Sequence, residues 1–171
     1  ARSGLGYERL QAINARLVYL SMSAAGQDGP LSGMRAYAPI MSGYCGFETL
    51  VGYAGESAMG MMNFGYGDAN AAIHALLPLL AALCEVQDTG RGQHIDMSQL
   101  EALLAVTAEP QMDCMLNGRD AAPTGNAHPV HAPHGIYAVH GSDRWISMAV
   151  TDDTQWGALV ELMGRPPWAV D

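Results

Sequence analysis

Asp68 is the residue whose type and setting best suit chemistry. It lies in Gly65-Tyr66-Gly67-Asp68-Ala69-Asn70, in front of a long apolar run. Asp is a preferred helix cap, so its carboxylate is expected to close the start of the helix that follows. The same placement fixes the carboxylate's direction. Backbone amides freed by Gly65 and Gly67 could then hold a developing oxyanion.

The histidines are the second candidates. His128, His131 and His134 stand three apart in HPVHAPH, a spacing that invites a metal. Pro129 and Pro133 prevent the regular helix that would align them, and no Cys or acidic residue is adjacent. A loop of solvated or backbone-bonded histidines is the expectation, with no metal. His74, inside the apolar run, reads as a core or helix–helix polar contact. His94 has no obvious partner. Gly90-Arg91-Gly92 follows a helix instead of preceding one, so it reads as a turn with an exposed arginine and not as a phosphate cradle. Met59, Met61 and Met62 could line an adaptable pocket for an acyl group, although plain core packing explains them as well.

These residues need elements to position them. Tyr7-Glu8-Arg9-Leu10 opens a short helix that ends near Asn14. Leu17 to Ser23 is a compact apolar run of strand length. Tyr37 to Leu50 reads as a helix, and Met59 to Tyr66 as a connection. Ala69 to Cys84 is almost wholly apolar. A membrane span needs about 20 apolar residues; this run is shorter and carries Asn70, His74 and Pro78. It is expected to be a helix buried on all sides, kinked at Pro78. His94 to Met97 is a short strand. Ser98-Gln99-Leu100-Glu101 is a capping box that opens a helix running to a stop at Gly118. The stretch 119–134 is rich in Pro, Gly and His and reads as a linker. Two strands follow around a turn at Gly141-Ser142-Asp143. Asp152 or Asp153 caps a last helix, which Pro166 and Pro167 terminate. This alternation predicts an α/β fold with a parallel layer over 1–118, then a linker, then the start of a second domain over 135–171.

Bulk composition narrows the function. The chain has 171 residues, is 49% apolar and 15% charged, and carries a net charge of −9. So few charges imply either deep burial or a large subunit interface. The acidic balance argues against nucleic acid, which demands clustered Lys and Arg. Cys45, Cys84 and Cys114 form no CxxC pair, so a disulfide frame or zinc site is not expected, and a reducing, cytoplasmic setting is. Nothing at the start reads as a signal peptide, and both ends read like the interior of a longer protein.

The order of segments resembles the family III CoA-transferases, which include the α-methylacyl-CoA racemases, the formyl-CoA transferases and the carnitine CoA-transferases. The resemblance rests on GLGYERLQAINARLVYLSMS, GYGDANAAIHALLPLLAAL, DTGRGQHIDMSQLEALL and GNAHPVHAPHGIYAV. It implies a Rossmann-like large domain, a small α+β domain and an interlocked homodimer. It makes Asp68 the nucleophile, attacking an acyl-CoA thioester to give a mixed anhydride and then an aspartyl–CoA thioester. A carboxylic acid accepts the CoA. Neither a metal nor a permanently bound cofactor is implied.

Two positions depart from the pattern. Met34 stands where the racemases carry a histidine base, and a thioether moves no proton. Arg35 replaces the neighbouring acid. Arg35 and Tyr37 are the candidate contacts for CoA. Transfer is thus favoured over the alternatives, which are a racemase or epimerase and a truncated non-catalytic subunit. The GYGDANA form further resembles transferases acting on aromatic acids such as benzylsuccinate or phenyllactate.

Overall fold

The computed structural model describes residues 3–57, 59–60 and 65–169. Met61 and Met62 of the methionine cluster lie outside these residues. The chain separates into two compact units, Ala1–Val51 with Ala58–Ala122 and Gly52–Ser57 with Pro123–Asp171.

In the first unit, helix α1 spans Tyr7–Ile13 and strand β1 spans Tyr19–Ser23. β1 pairs in parallel with β2, His94–Ser98, in the register Tyr19↔His94 to Ser23↔Ser98. A parallel pair cannot be joined by a tight turn, and the long crossover between these strands carries helices α2 (Ala38–Tyr44) and α3 (Tyr66–Thr89). The expected α/β character with a parallel sheet is therefore present. Gly92 is required where the chain enters β2, because a Cβ there would lie 2.0 Å from the Leu17 carbonyl oxygen.

The helix expected over 37–50 is two pieces. α2 spans Ala38–Tyr44, and a 3-10 helix spans Phe47–Leu50. Gly46, at φ +76°, breaks the run by adopting a left-handed conformation. The helix expected to run from Gln99 to Gly118 is also two, α4 (Gln99–Val106) and α5 (Ala108–Asn117). Pro110 explains the break, since its ring excludes the carbonyl four residues earlier and its nitrogen cannot donate. The buried Thr107 caps the gap, its hydroxyl within reach of the Leu103 and Leu104 carbonyls at 3.2 and 3.3 Å.

Helix α3 differs most from expectation. It spans Tyr66–Thr89, longer than its apolar run, and passes through Pro78 without ending. It is not buried on all sides. Its buried face consists of Gly67, Asn70, Ala71, Ala75, Ala82 and Val86. Ile73, Leu76, Leu77, Leu80 and Leu83 are exposed, Leu77 to 77%. Small residues bring the α3 backbone close to α4, which turns the large aliphatic side chains away. By length and composition alone the helix could cross a membrane.

The core of this unit joins Met41 and Cys45 of the α2 region to Leu100 and Leu103 of α4, with Phe47 and Tyr66 packed against it. The two aromatic rings stack at 5.3 Å between centroids. Burial raises the Cys45 thiol above its ordinary range.

In the second unit, β3 (His134–Ala138) and β4 (Trp145–Ala149) form the expected antiparallel hairpin. Asp143, at φ +51°, shapes its turn and accepts a 2.9 Å hydrogen bond from the Trp145 indole. Asp152 caps α6, Asp153–Leu162, by accepting from the Gln155 amide at 2.8 Å.

Candidate active site

Asp68 stands in the first turn of α3, but it is not the cap. Gly65 occupies the cap position, and Asp68 is the third helical residue. Its own amide donates to the Gly65 carbonyl at 3.2 Å. The carboxylate still lies at the positive end of a 24-residue helix, where a negative charge is favoured. Freed from capping, it reaches across to α4. Gln99 Nε2 donates to Asp68 Oδ1 at 2.7 Å. The residue remains exposed to solvent.

Three contacts hold α3 against α4 at this point. Beside the Asp68–Gln99 bond, the buried Asn70 donates through Nδ2 to the Ala102 carbonyl at 2.7 Å. Gly67 lies against Leu103 so closely that a Cβ would stand 3.2 Å from Leu103 Cδ1. The visible role of Gly67 is thus to permit this approach. Gly65 lies beside the other carboxylate oxygen, where a Cβ would make an ordinary contact at 3.5 Å from Oδ2.

Helix α4 is itself anchored. Ser98, the last residue of β2, accepts from the Glu101 amide at 3.2 Å, which is the serine half of the expected capping box. The Leu100 amide donates to the Ala24 carbonyl at 2.9 Å. A strand that passes directly into a helix therefore presents Gln99 at the helix's first position. A cleft of 570 Å³ flanks this junction, lined by Ser98, Leu100, Glu101, Asp28, Leu31 and Tyr44 among others. Its two carboxylates suit it poorly to phosphate groups.

Residues 34–37 precede α2. Met34 is half-buried, whereas Arg35 is exposed and Tyr37 is 84% exposed. No ion pair engages Arg35 among the described residues. The Met34-to-Ser42 stretch continues into a buried serine, whose hydroxyl lies 2.9 Å from the Ala38 carbonyl and contacts the Glu48 carboxylate.

The other candidates fall elsewhere. His74 is exposed and contacts the Asn70 carbonyl of its own helix at 2.9 Å, so it bridges no helices. His94 does have partners: Ser21 Oγ at 2.8 Å, with the Tyr7 and Tyr19 rings at 5.2 and 5.4 Å. Arg91 is exposed beyond the left-handed Gly90, as a turn requires. Met59 is exposed. His128, His131 and His134 cluster in a loop, with ring centroids 4.4 and 5.2 Å from His128. Their bonds are to backbone: the Val130 and His131 amides donate to His128 Nδ1, and His134 Nδ1 meets the Asn126 carbonyl. Among the described residues no three potential ligands converge in a geometry that would hold a metal ion.

Sequence reasoning missed Gln99, Asn70 and Leu103 as supports of Asp68. Gln99 was visible only as an interior position of a capping box.

Residues 1–171 match the description "CoA-transferase family III". The chain is 33% identical to a succinate–glutarate CoA-transferase of Agrobacterium fabrum, over 96% of this chain and 40% of that protein. It is 30% identical to an acetyl-CoA:oxalate CoA-transferase of Acetobacter aceti, over 99% of this chain and 43% of the relative. Among solved structures, a CAIB/BAIF family protein from Brucella suis superposes with a TM-score of 0.85 at 31% identity, covering 99% of this chain and 44% of that one. The chain thus spans about two-fifths of the length of these relatives.

Proposed function

Because the chain belongs to CoA-transferase family III, we propose that the protein moves CoA from an acyl-CoA thioester to a carboxylic acid, with Asp68 as the nucleophile. The observation that carries this reading is the setting of the Asp68 carboxylate. It sits in the first turn of a long helix, exposed, with one oxygen held by Gln99 and Gly65 beside the other.

The proposed exchange has four steps. Oδ2 attacks the thioester carbonyl carbon, the C–S bond breaks, and CoA leaves as a thiolate. The thiolate then attacks Cγ of Asp68. The Cγ–Oδ2 bond breaks, and the donor acid departs as a carboxylate carrying that oxygen. The acceptor carboxylate next attacks Cγ and expels the thiolate. Finally the thiolate attacks the acceptor's carbonyl carbon, which restores the Asp68 carboxylate with an oxygen from the acceptor. Each step exchanges one acyl bond for another of similar energy, so a difficult exchange is divided into easier ones.

Racemisation has less support. It requires a group that removes and returns an α-proton, and Met34 has no proton to exchange. Arg35 and Tyr37, exposed ahead of α2, are the proposed contacts for CoA, with the guanidinium able to meet a phosphate. The relatives are named for succinate, glutarate and oxalate, so a small dicarboxylic acid is the acceptor to test before an aromatic acid. The Rossmann-like and small-domain division and the interlocked homodimer belong to the same proposal.

The test uses the polypeptide as its gene encodes it. Asp68→Ala should abolish CoA exchange between succinyl-CoA and a second acid. The wild-type protein, incubated with succinyl-CoA and hydroxylamine, should yield a modified Asp68 peptide by mass spectrometry. Undiminished exchange in Asp68→Ala would overturn the proposal.

A further inference from the structure

The geometry points to Gln99 as a positioning residue for the nucleophile, one that also supplies the hydrogen bond receiving charge on Asp68 during the exchange. This inference rests on Asp68 being the nucleophile.

Three observations support it. The bond from Gln99 Nε2 to Asp68 Oδ1 is 2.7 Å, the short range of a hydrogen bond to an ionised group. It joins residues on two helices whose spacing is set independently, by the Asn70–Ala102 bond and the Gly67–Leu103 contact. Gln99 is placed by a strand–helix junction that is fixed on both sides, through the Ser98 cap and the Leu100–Ala24 bond. A donor carried on rigid elements costs little reorganisation at the moment of reaction.

The chemistry gives the donor a specific task. Carboxylates rotate between two equivalent states, so a fixed donor on Oδ1 leaves Oδ2 as the oxygen free of that bond for attack. An amide also leaves the carboxylate's charge intact, whereas a Lys or Arg would partly neutralise the nucleophile. Once Oδ2 is acylated, Oδ1 becomes the carbonyl oxygen on Cγ. When thiolate attacks Cγ, the electron pair of the C=O bond moves onto Oδ1, and it returns as the Cγ–Oδ2 bond breaks. When the acceptor carboxylate attacks Cγ, the same oxygen takes the charge again, and the C–S bond breaks. Gln99 faces the atom where charge accumulates in both steps.

Gln99→Met keeps the side chain's length and helical preference but removes the donor. The expected result is a fall in kcat of about 100-fold with KM within about threefold of wild type. Formation of the hydroxylamine-trappable Asp68 adduct should slow by the same factor in a single turnover. Gln99→Glu keeps the shape and also lacks the donor at neutral pH, and it should lose at least as much. It decides the matter if Gln99→Met melts early. A kcat within about threefold of wild type in the folded variants, or a loss carried by KM, overturns the role of Gln99. Asp68→Ala is assayed beside them. If it is inactive while the Gln99 variants are normal, only the Gln99 inference falls. If it retains full exchange, the proposed function falls and this inference with it.

Discussion

The start of α3 and the histidine loop before β3 hold their polar side chains in opposite ways. Asp68 is held by a residue 31 positions away, and the neighbouring Asn70 by a carbonyl 32 positions away. His128 is held by amides two and three positions away, and His134 by a carbonyl eight positions away. The first arrangement exists only when two helices pack. The second is made by the loop's own short-range path. The carboxylate proposed as the nucleophile is thus built on packed helices. The histidines, whose spacing invites a metal, bond instead within their own loop.

Three perturbations test that difference. The largest effect is expected at Leu103, which is fully buried between the two helices. Leu103→Ala should cost about 2–5 kcal/mol by urea unfolding, because it leaves a cavity where Gly67 and Met41 now pack. Exchange activity should fall with it. A loss below about 1 kcal/mol would show that the α3–α4 contact does not carry the first unit.

Asn70→Ala should come next, at about 1–3 kcal/mol, since it deletes a buried donor. In the folded variant the exchange rate should also drop, because the register that brings Asp68 to Gln99 loses one of its constraints. Reduced stability with an unchanged rate would mean that packing alone aligns the pair.

The smallest effect is expected from pH at the histidine loop. Desolvation, and then the charges that His131 and His134 would carry, hold His128 below the ordinary imidazole range. The unfolded chain therefore binds this proton more readily than the folded one. Stability from the loop is full above the ordinary value of about 6.5 and declines as the pH falls below it. Protonation at Nδ1 also removes the acceptor used by the Val130 and His131 amides. Hydrogen-exchange protection factors of those two amides should drop between about pH 7.5 and about pH 5.5, while those of α3 hold. Equal protection across that range would contradict the local account.

Much of the fold was legible because it is local. Ser98 before Glu101, Asp152 before Gln155, and the Gly141-Ser142-Asp143 turn each act within a few residues, and each appears where the pattern places it. The misses have physical causes as well. The breaks at Gly46 and Pro110 were readable in principle, since backbone chemistry at one residue imposes them. The exposed aliphatic face of α3 was not, because periodicity cannot show which face of an apolar helix another element approaches.

The sequence by itself determined the kinds of elements, their caps and turns, and the family resemblance that singled out Asp68. Those depend on residue type and short spacing. Only the tertiary structure decided that Asp68 leaves the capping role to Gly65 and turns to Gln99, and that Gly67 and Asn70 seat α3 on α4. These contacts join residues about thirty apart. No local pattern encodes them, because they arise only when α3 packs on α4, with Gly67 against Leu103 and Asn70 bonded to the Ala102 carbonyl.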